Sequence, residues 1–136
     1  MWSTKDRLPL LNDDVRSKVF AHIISNAREK GIFIEAISGY REHVHCLISL
    51  ANNQSIEQIM QLIKGESSFW INRQKLTPAK FGWQDEYFVT SVSESNLESV
   101  RRYIANQEKH HRKVPFGSEF DSFMKRAGFV RFNDVQ

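Results

Sequence analysis

The stretch IFIEAISGYREHVHCLISL at residues 32–50 decides the fold. Its first half is rich in β-branched residues and indicates a strand over 32–40. A turn near Gly39–Glu42 leads directly into a second apolar run that begins at His43. Two strands joined by so short a turn are typical of an antiparallel hairpin, and we predict one here.

The second strand of this hairpin divides its side chains between two faces, because residues two apart share a face. One face is expected to pack against the core and carries Val44, Cys46, Ile48 and Leu50. The other carries His43 and His45, whose imidazoles would project in parallel toward one point. That arrangement suits a metal ion, yet two histidines at this spacing also occur on ordinary solvated strands. The pair alone leaves both interpretations open.

Composition restricts the class of protein. A chain of 136 residues with 40% apolar and 26% charged residues is expected to form one domain, residues 1–136, with a real core. The single cysteine, Cys46, excludes an intramolecular disulfide framework, suits the cytoplasm and is expected to be a buried hydrophobe. We expect no signal peptide or membrane span. A net charge of +3 permits a polyanionic partner without requiring one.

The other predicted elements alternate with this hairpin along the chain. Asp13 or Asp14 is expected to cap a first helix that ends at Gly31, and Ser55 to cap a second. Ser95 or Asn96 is expected to cap a third, which runs toward Pro115. The remaining expectations are a strand at 1–4, a strand at 86–94 and a short helix at about 119–126.

The order β-α-β-β-α-β followed by helices predicts an α+β fold, a ferredoxin-like split βαβ antiparallel sheet with an additional C-terminal helix. In this topology the first and third strands are central, so the histidines lie in the middle of the sheet. Helices one and two cover one face. The face of His43 and His45 is expected to stay open for a site or for another element.

Tyr103 and Gln107 are four residues apart, so they lie one above the other on the same face of the third helix. That line is rotated away from the apolar stripe of Leu97, Val100 and Ile104, so burial is not expected to require either residue. Both side chains are available to a site. A core tyrosine followed by a solvated glutamine is the competing interpretation.

Three motifs in this order, EHVHCLI, WQDEYFVTSVSES and YIANQEKHH, resemble the single-tyrosine HUH transposases of the insertion-sequence 200/605 family. The segments STKDRLPLL and IKGESSFWIN are also similar, and the resemblance runs from about Ser3 to Gly128. Two features depart from the family pattern. Only Met1 and Trp2 precede the STK stretch, where a fuller first strand is expected, and Asp85–Glu86 stands where a glycine is expected.

The resemblance implies a role for each matching residue. His43 and His45 match the metal-binding histidines, Gln107 matches the third protein ligand, and Tyr103 matches the nucleophile, which makes the third helix the catalytic one. The implied reaction is metal-dependent cleavage and rejoining of single-stranded DNA at insertion-sequence ends through a 5′-phosphotyrosine intermediate. We expect Mg²⁺ or Mn²⁺ to serve.

The resemblance also implies partners: single-stranded DNA with hairpin ends, and a second copy of the chain. In such a homodimer the tyrosine helix of one chain completes the histidine site of the other. The serine-rich lead-in SVSES is compatible with this exchange. Candidate DNA contacts are basic side chains that can bind phosphate, and two aromatic rings, Trp83 and Tyr87, that can stack on bases. The basic candidates are Lys64, Arg73, Lys75, Arg101, Arg102, Lys109, Arg112 and Lys113.

Three other functions compete with a transposase. A related HUH endonuclease that processes repeated genomic hairpins or replication origins would share the same chemistry. A non-catalytic ferredoxin-like nucleic-acid-binding module would place stacking aromatic rings on its central strands, where this chain has histidines. A structural zinc domain normally has four protein ligands, and His43, His45 and Gln107 make three.

Overall fold

The computed structural model describes residues 1–107 and 109 of the chain, and its elements follow the predicted order. The sheet strands are β1 (Trp2–Thr4), β2 (Phe33–Gly39), β3 (His43–Ser49) and β4 (Trp83–Tyr87). The helices are α1 (Asp13–Glu29), α2 (Ile56–Arg73) and α3 (Leu97–Ala105), with single 3₁₀ turns at Lys5–Arg7 and Glu94–Asn96. The helix expected at about 119–126 lies outside the described residues.

The four strands form one sheet in the order β2-β3-β1-β4, and every neighbouring pair is antiparallel. This order puts β1 and β3 in the centre, as the ferredoxin-like prediction requires. The core forms between one face of the sheet and helices α1 and α2, where Trp2 and Val44 meet the buried faces of both helices. The predicted fold class is therefore confirmed.

The helix starts show why the first prediction of a cap was wrong and the second right. The Asn12 side chain, rather than Asp13 or Asp14, accepts the hydrogen bond from the Val15 amide (2.9 Å) at the start of α1. Both aspartates instead occupy the first turn, where their charge is favourable toward the helix dipole. Ser55 caps α2 as predicted, accepting from the Gln58 amide at 3.2 Å.

Both long helices end in the same left-handed turn. Gly31, with φ of 73°, follows α1 as predicted, and the Ile32 amide donates back to the Ala27 carbonyl. Lys75 has the same role after α2 with φ of 52°, although it is not glycine. The Lys75 backbone therefore helps to end α2, while its side chain is exposed to solvent.

The turn between β2 and β3 depends on a glycine. A Cβ atom at Gly39 would collide with the His43 carbonyl oxygen and crowd the Val44 Cα atom. The Tyr40 amide donates to that same carbonyl at 3.1 Å, which closes the hairpin. This close approach sets where β3 begins, and so which face His43 occupies. Leu50, expected to continue the core face, follows the end of the strand and is exposed.

The fourth strand was predicted in the wrong place. It spans Trp83–Tyr87 rather than 86–94, because Trp83 is a core residue and not part of a loop. The Trp83 indole lies edge-on to Phe81 at 4.7 Å and to Trp2 at 5.9 Å, and its Nε1 donates to Ser67 Oγ at 2.9 Å. A ring fixed in this way cannot stack on a DNA base, which corrects the sequence expectation for Trp83.

Replacing Trp83 with alanine is expected to lower the free energy of unfolding by about 3–5 kcal/mol, the usual cost of emptying a buried aromatic site. Urea unfolding followed by circular dichroism measures this change. Tyr87→Ala, at the exposed end of the same strand, is the matched control and should cost about 1 kcal/mol or less. A small effect of Trp83→Ala would contradict its place in the core.

The sheet face opposite α1 and α2, which was expected to stay open for a site or for another element, is partly covered. Helix α3 packs across β2 and β3 on that side. An ion pair between Arg101 and Glu35 of β2 (3.4 Å) joins the helix to the sheet. Within the described residues, no helix combines the length and apolarity needed to cross a bilayer.

Candidate active site

His43 and His45 project from β3 onto the face that α3 covers. Both side chains are buried, His43 completely and His45 to within 4%. Their ring centroids are 5.0 Å apart and the rings are perpendicular. Val44 between them points into the core on the opposite face, as strand alternation predicts. The two imidazoles therefore belong to a buried polar site rather than to a solvated sheet face.

Glu42 and Gln107 lie on the two sides of the His43 ring. Glu42 Oε1 is 2.7 Å from His43 Nδ1, and Gln107 Oε1 is 3.4 Å from His43 Nε2. A carboxylate only accepts hydrogen bonds, so Nδ1 carries a proton toward Glu42. In the neutral ring, Nε2 then presents a lone pair to the amide oxygen of Gln107. Two converging acceptor atoms of this kind fit a cation between them.

Gln107 is completely buried, which differs from the expectation that burial would not require it. Its side-chain Nε2 donates to the Tyr103 carbonyl at 3.1 Å, and this bond turns Oε1 toward His43. Helical periodicity alone placed Gln107 away from the apolar stripe. Because α3 lies on the sheet, its apolar stripe and the line of Tyr103 and Gln107 are both covered. Apolar contacts cover the stripe, and the two histidines cover the other line.

Tyr103 lies one turn before Gln107 and is partly buried. Its ring meets the His45 ring edge-on, with centroids 5.5 Å apart and an interplanar angle of 84°. The structure thus brings together the four predicted site residues, His43, His45, Tyr103 and Gln107, within a single chain. His110 and His111, which continue the helix motif, lie outside the described residues.

A cavity of about 1000 Å³ adjoins this group. His45 and Tyr103 line it on one side, and apolar side chains of β3, α2 and α3 line much of the rest. The segment between β4 and α3, including Ser91 and Ser93, closes another side. The Tyr103 ring is therefore in contact with a space large enough for an extended ligand.

Lys64 has a structural role rather than being free for phosphate. Its Nζ donates to the carbonyls of Gln84 (2.6 Å) and Asp85 (2.8 Å) and lies 5.5 Å from the Tyr87 ring. Partial burial lowers the pKa of Lys64, against the attraction of the Asp85 and Glu86 carboxylates. These bonds join α2 to β4, so the ammonium group stabilises the sheet edge.

The other basic candidates differ in their surroundings. Arg101 pairs with Glu35, and Arg102 lies 3.8 Å from Glu98 on the exposed side of α3. Arg112 and Lys113 lie outside the described residues. The exposed side chains that remain candidates for phosphate contacts are Arg73, Lys75 and Lys109.

Sequence reasoning missed Glu42 as a site residue. Strand alternation would place the residue before His43 on the opposite face, which gave no reason to expect a contact between them. Glu42 belongs to the turn instead of the strand, so its side chain is free of that alternation. The only available signal was the adjacency itself, an acid directly before a candidate metal ligand.

Comparison with known proteins identifies the family of this chain. The family model for IS200-like transposases matches residues 1–107. The ISDra2 transposase TnpA of Deinococcus radiodurans is 24% identical over 112 residues, which cover 79% of this chain and 80% of that protein. A crystal structure of a protein from Deinococcus radiodurans R1, assigned as a transposase, superposes with a TM-score of 0.60 at 26% identity. That match covers 78% of this chain and 85% of the solved one. The chain belongs to the IS200-like transposase family.

Proposed function

We propose that this transposase cleaves and rejoins single-stranded DNA at insertion-sequence ends, with Tyr103 as the nucleophile. The observation that carries the proposal is the contact of Tyr103 on α3 with His45, together with Gln107 just after the end of that helix, whose Oε1 lies 3.4 Å from His43 Nε2. The Tyr103 phenol and the His45 imidazole thus line a cavity. The His43 imidazole and the Gln107 amide oxygen lie behind them. A nucleophile and a cation-binding group side by side suit phosphoryl transfer.

In this reaction the Tyr103 phenolic oxygen forms a bond to the scissile phosphorus while the bond from phosphorus to the 3′ oxygen breaks. The phenol loses its proton in this step and the departing 3′ oxygen gains one to become a hydroxyl, so protons balance. The 5′ end stays on Tyr103 as a phosphotyrosine. A 3′-hydroxyl from another strand then attacks the phosphotyrosine and releases the phenol. Each step exchanges one phosphate ester for another, so rejoining needs no nucleotide cofactor.

His43, His45 and Gln107 are the side chains that would hold a divalent metal ion, Mg²⁺ or Mn²⁺. Two neutral nitrogen donors and one amide oxygen fit such an ion, with positions left for phosphate oxygen and water. When bound, the ion would polarise the scissile phosphate and stabilise the charge that develops on it. This activation matters because a phenol, with a normal pKa of about 10, is mostly protonated at neutral pH and is a weak nucleophile. The burial of both histidines keeps these donors in place.

Formation of a covalent adduct tests the proposed function directly. The protein is mixed with labelled single strands from both flanks of its gene in the presence of Mn²⁺ or Mg²⁺. The expected result is a labelled protein band that survives denaturation, with a free 3′-hydroxyl on the released fragment. The same sequences as full duplexes are the control. Adduct on duplex alone, or cleavage without adduct, would contradict the proposal, and selective cleavage of repeated hairpins elsewhere would favour the related endonuclease.

We further propose that the functional unit is a homodimer with shared sites. In the single chain, α3 packs on its own sheet, and its ion pair through Arg101 is formed by a half-exposed side chain. The connection to β4, residues 88–93, has neither helix nor strand. If α3 moved to a second copy, it would meet the same residues there, so exchange of identical elements costs little in contacts.

Mixing two inactive variants distinguishes shared from self-contained sites. With shared sites, a dimer of one His43→Ala chain and one Tyr103→Phe chain has one site with intact histidines and an intact tyrosine, so cleavage is expected to return there. With self-contained sites every site carries a defect. Adduct formation after mixing is the measurement, and co-purification of differently tagged chains is the control for subunit exchange. Exchange without recovered cleavage would contradict shared sites.

A further inference from the structure

Glu42 makes a short polar contact to His43. Its Oε1 lies 2.7 Å from His43 Nδ1, with the imidazole fully buried and the carboxylate 17% exposed. Gln107 Oε1 lies on the other side of the ring, 3.4 Å from Nε2. A neutral imidazole has one proton, so these two groups compete for it. Charge assistance and the shorter distance favour the bond to Glu42.

The backbone holds Glu42 in position for this contact. The Glu42 carbonyl accepts a hydrogen bond from the Thr4 amide at 2.9 Å. Thr4 Oγ1 donates to the Leu8 carbonyl at 2.7 Å and lies 3.3 Å from the Glu42 carbonyl. Thr4 is itself fully buried at the end of β1. On the neighbouring residue, the Arg41 carbonyl accepts from the Leu11 amide at 2.8 Å. The turn is thus anchored at consecutive residues, and the carboxylate is preorganised beside the ring.

We propose that Glu42 is a positioning residue that keeps the proton of His43 on Nδ1, so that Nε2 presents a lone pair toward Gln107 Oε1, where both atoms can bind the metal ion. This inference rests on the proposed function, because it assigns the purpose of the bond to metal binding. Without Glu42, the tautomer with the proton on Nε2 becomes the more stable one, because Nε2–H can donate a hydrogen bond to Gln107 Oε1. That tautomer occupies both predicted ligand atoms with one hydrogen bond and blocks the cation.

The tautomer of His43 is measured in the metal-free protein by long-range ¹⁵N–¹H spectroscopy at pH 8. The wild type is expected to show a protonated Nδ1 and an unprotonated Nε2, and Glu42→Ala is expected to shift the proton to Nε2. Glu42→Gln keeps an acceptor oxygen and should restore the wild-type tautomer at least in part. Mn²⁺ titration by calorimetry should show a loss of affinity of about 10–100-fold in Glu42→Ala, the usual cost of removing such a partner, and a smaller loss in Glu42→Gln.

His22 and Glu66 offer a matched control, because they form a second histidine–glutamate pair, of 2.8 Å, between α1 and α2. Glu66→Ala removes that pair and is expected to leave the His43 tautomer and the Mn²⁺ affinity unchanged. An Nε2-protonated or doubly protonated His43 in the wild type, or the same tautomer in Glu42→Ala as in the wild type, would overturn the positioning role. Absence of Mn²⁺ binding by the wild type would instead overturn the proposed metal site.

Discussion

Replacing Tyr103 with phenylalanine is expected to abolish the covalent DNA adduct and to lower strand cleavage by about four orders of magnitude or more, the scale on which loss of a nucleophile lowers kcat. The change removes one oxygen and keeps the ring that packs edge-on against His45. Stability should therefore fall by only about 1 kcal/mol, the usual net value of one hydrogen bond. Gel analysis of labelled single strands after denaturation measures adduct and cleavage together.

Two observations make the test specific to Tyr103. Peptide mapping of the wild-type adduct should place the nucleotide on this residue. Tyr87→Phe changes an exposed tyrosine at the end of β4 and should leave adduct formation intact. DNA affinity, measured by fluorescence anisotropy, should be nearly the same in wild type and Tyr103→Phe. An adduct mapped to Tyr87 or Tyr40 would show that the nucleophile has been assigned wrongly.

The second large effect concerns the histidine pair. We expect a loss of Mn²⁺ affinity in three variants, His43→Ala, His45→Ala and the double variant. The loss should exceed about 10–100-fold, the usual effect of removing a residue that only hydrogen-bonds a metal ligand, because each variant removes a proposed ligand itself. Cleavage should fall with the metal affinity. Isothermal titration calorimetry of the folded variants measures the affinity.

Because both histidines are buried, replacing them is also expected to lower the free energy of unfolding, and this effect has to be measured separately from the loss of metal binding. His43→Ala removes the hydrogen bond to Glu42 and empties a buried site, so a loss of about 1–3 kcal/mol is expected. His22→Ala is the matched control, since His22 bonds Glu66 and stacks on Trp70 with centroids 4.0 Å apart. It should lose stability and keep Mn²⁺ affinity. Unchanged Mn²⁺ binding in a folded double variant would rule out the ligand pair.

Local patterns in the sequence determined much of this protein. Period-two alternation placed His43 and His45 on one face and Val44 on the other, and the structure shows the same division. The position of Ser55 marked the start of α2, and Gly31 marked the end of α1. Each of these signals depends on residues within a few positions of one another, where backbone geometry alone sets the outcome. The order of the elements then predicted the sheet topology.

Contacts between distant segments decided the rest. Trp83 is a core residue because Trp2, Ser67 and Phe81 surround it, and local sequence shows only a tryptophan beside a glycine. Lys64 is bound to backbone carbonyls of β4, which no helical pattern in α2 could indicate.

The candidate site shows the same division between sequence and tertiary structure. The types and spacing of His43, His45, Tyr103 and Gln107 identified the candidates, but spacing along a chain carries no information on which sheet face a later helix covers. Packing of α3 onto the sheet buries Gln107 and brings its oxygen to His43, 64 residues earlier in the chain. The anchored turn adds Glu42 on the other side of the same ring. Sequence alone determined which side chains were available, and only the tertiary structure decided which of their atoms face one another, because that depends on distances through space that no local periodicity encodes.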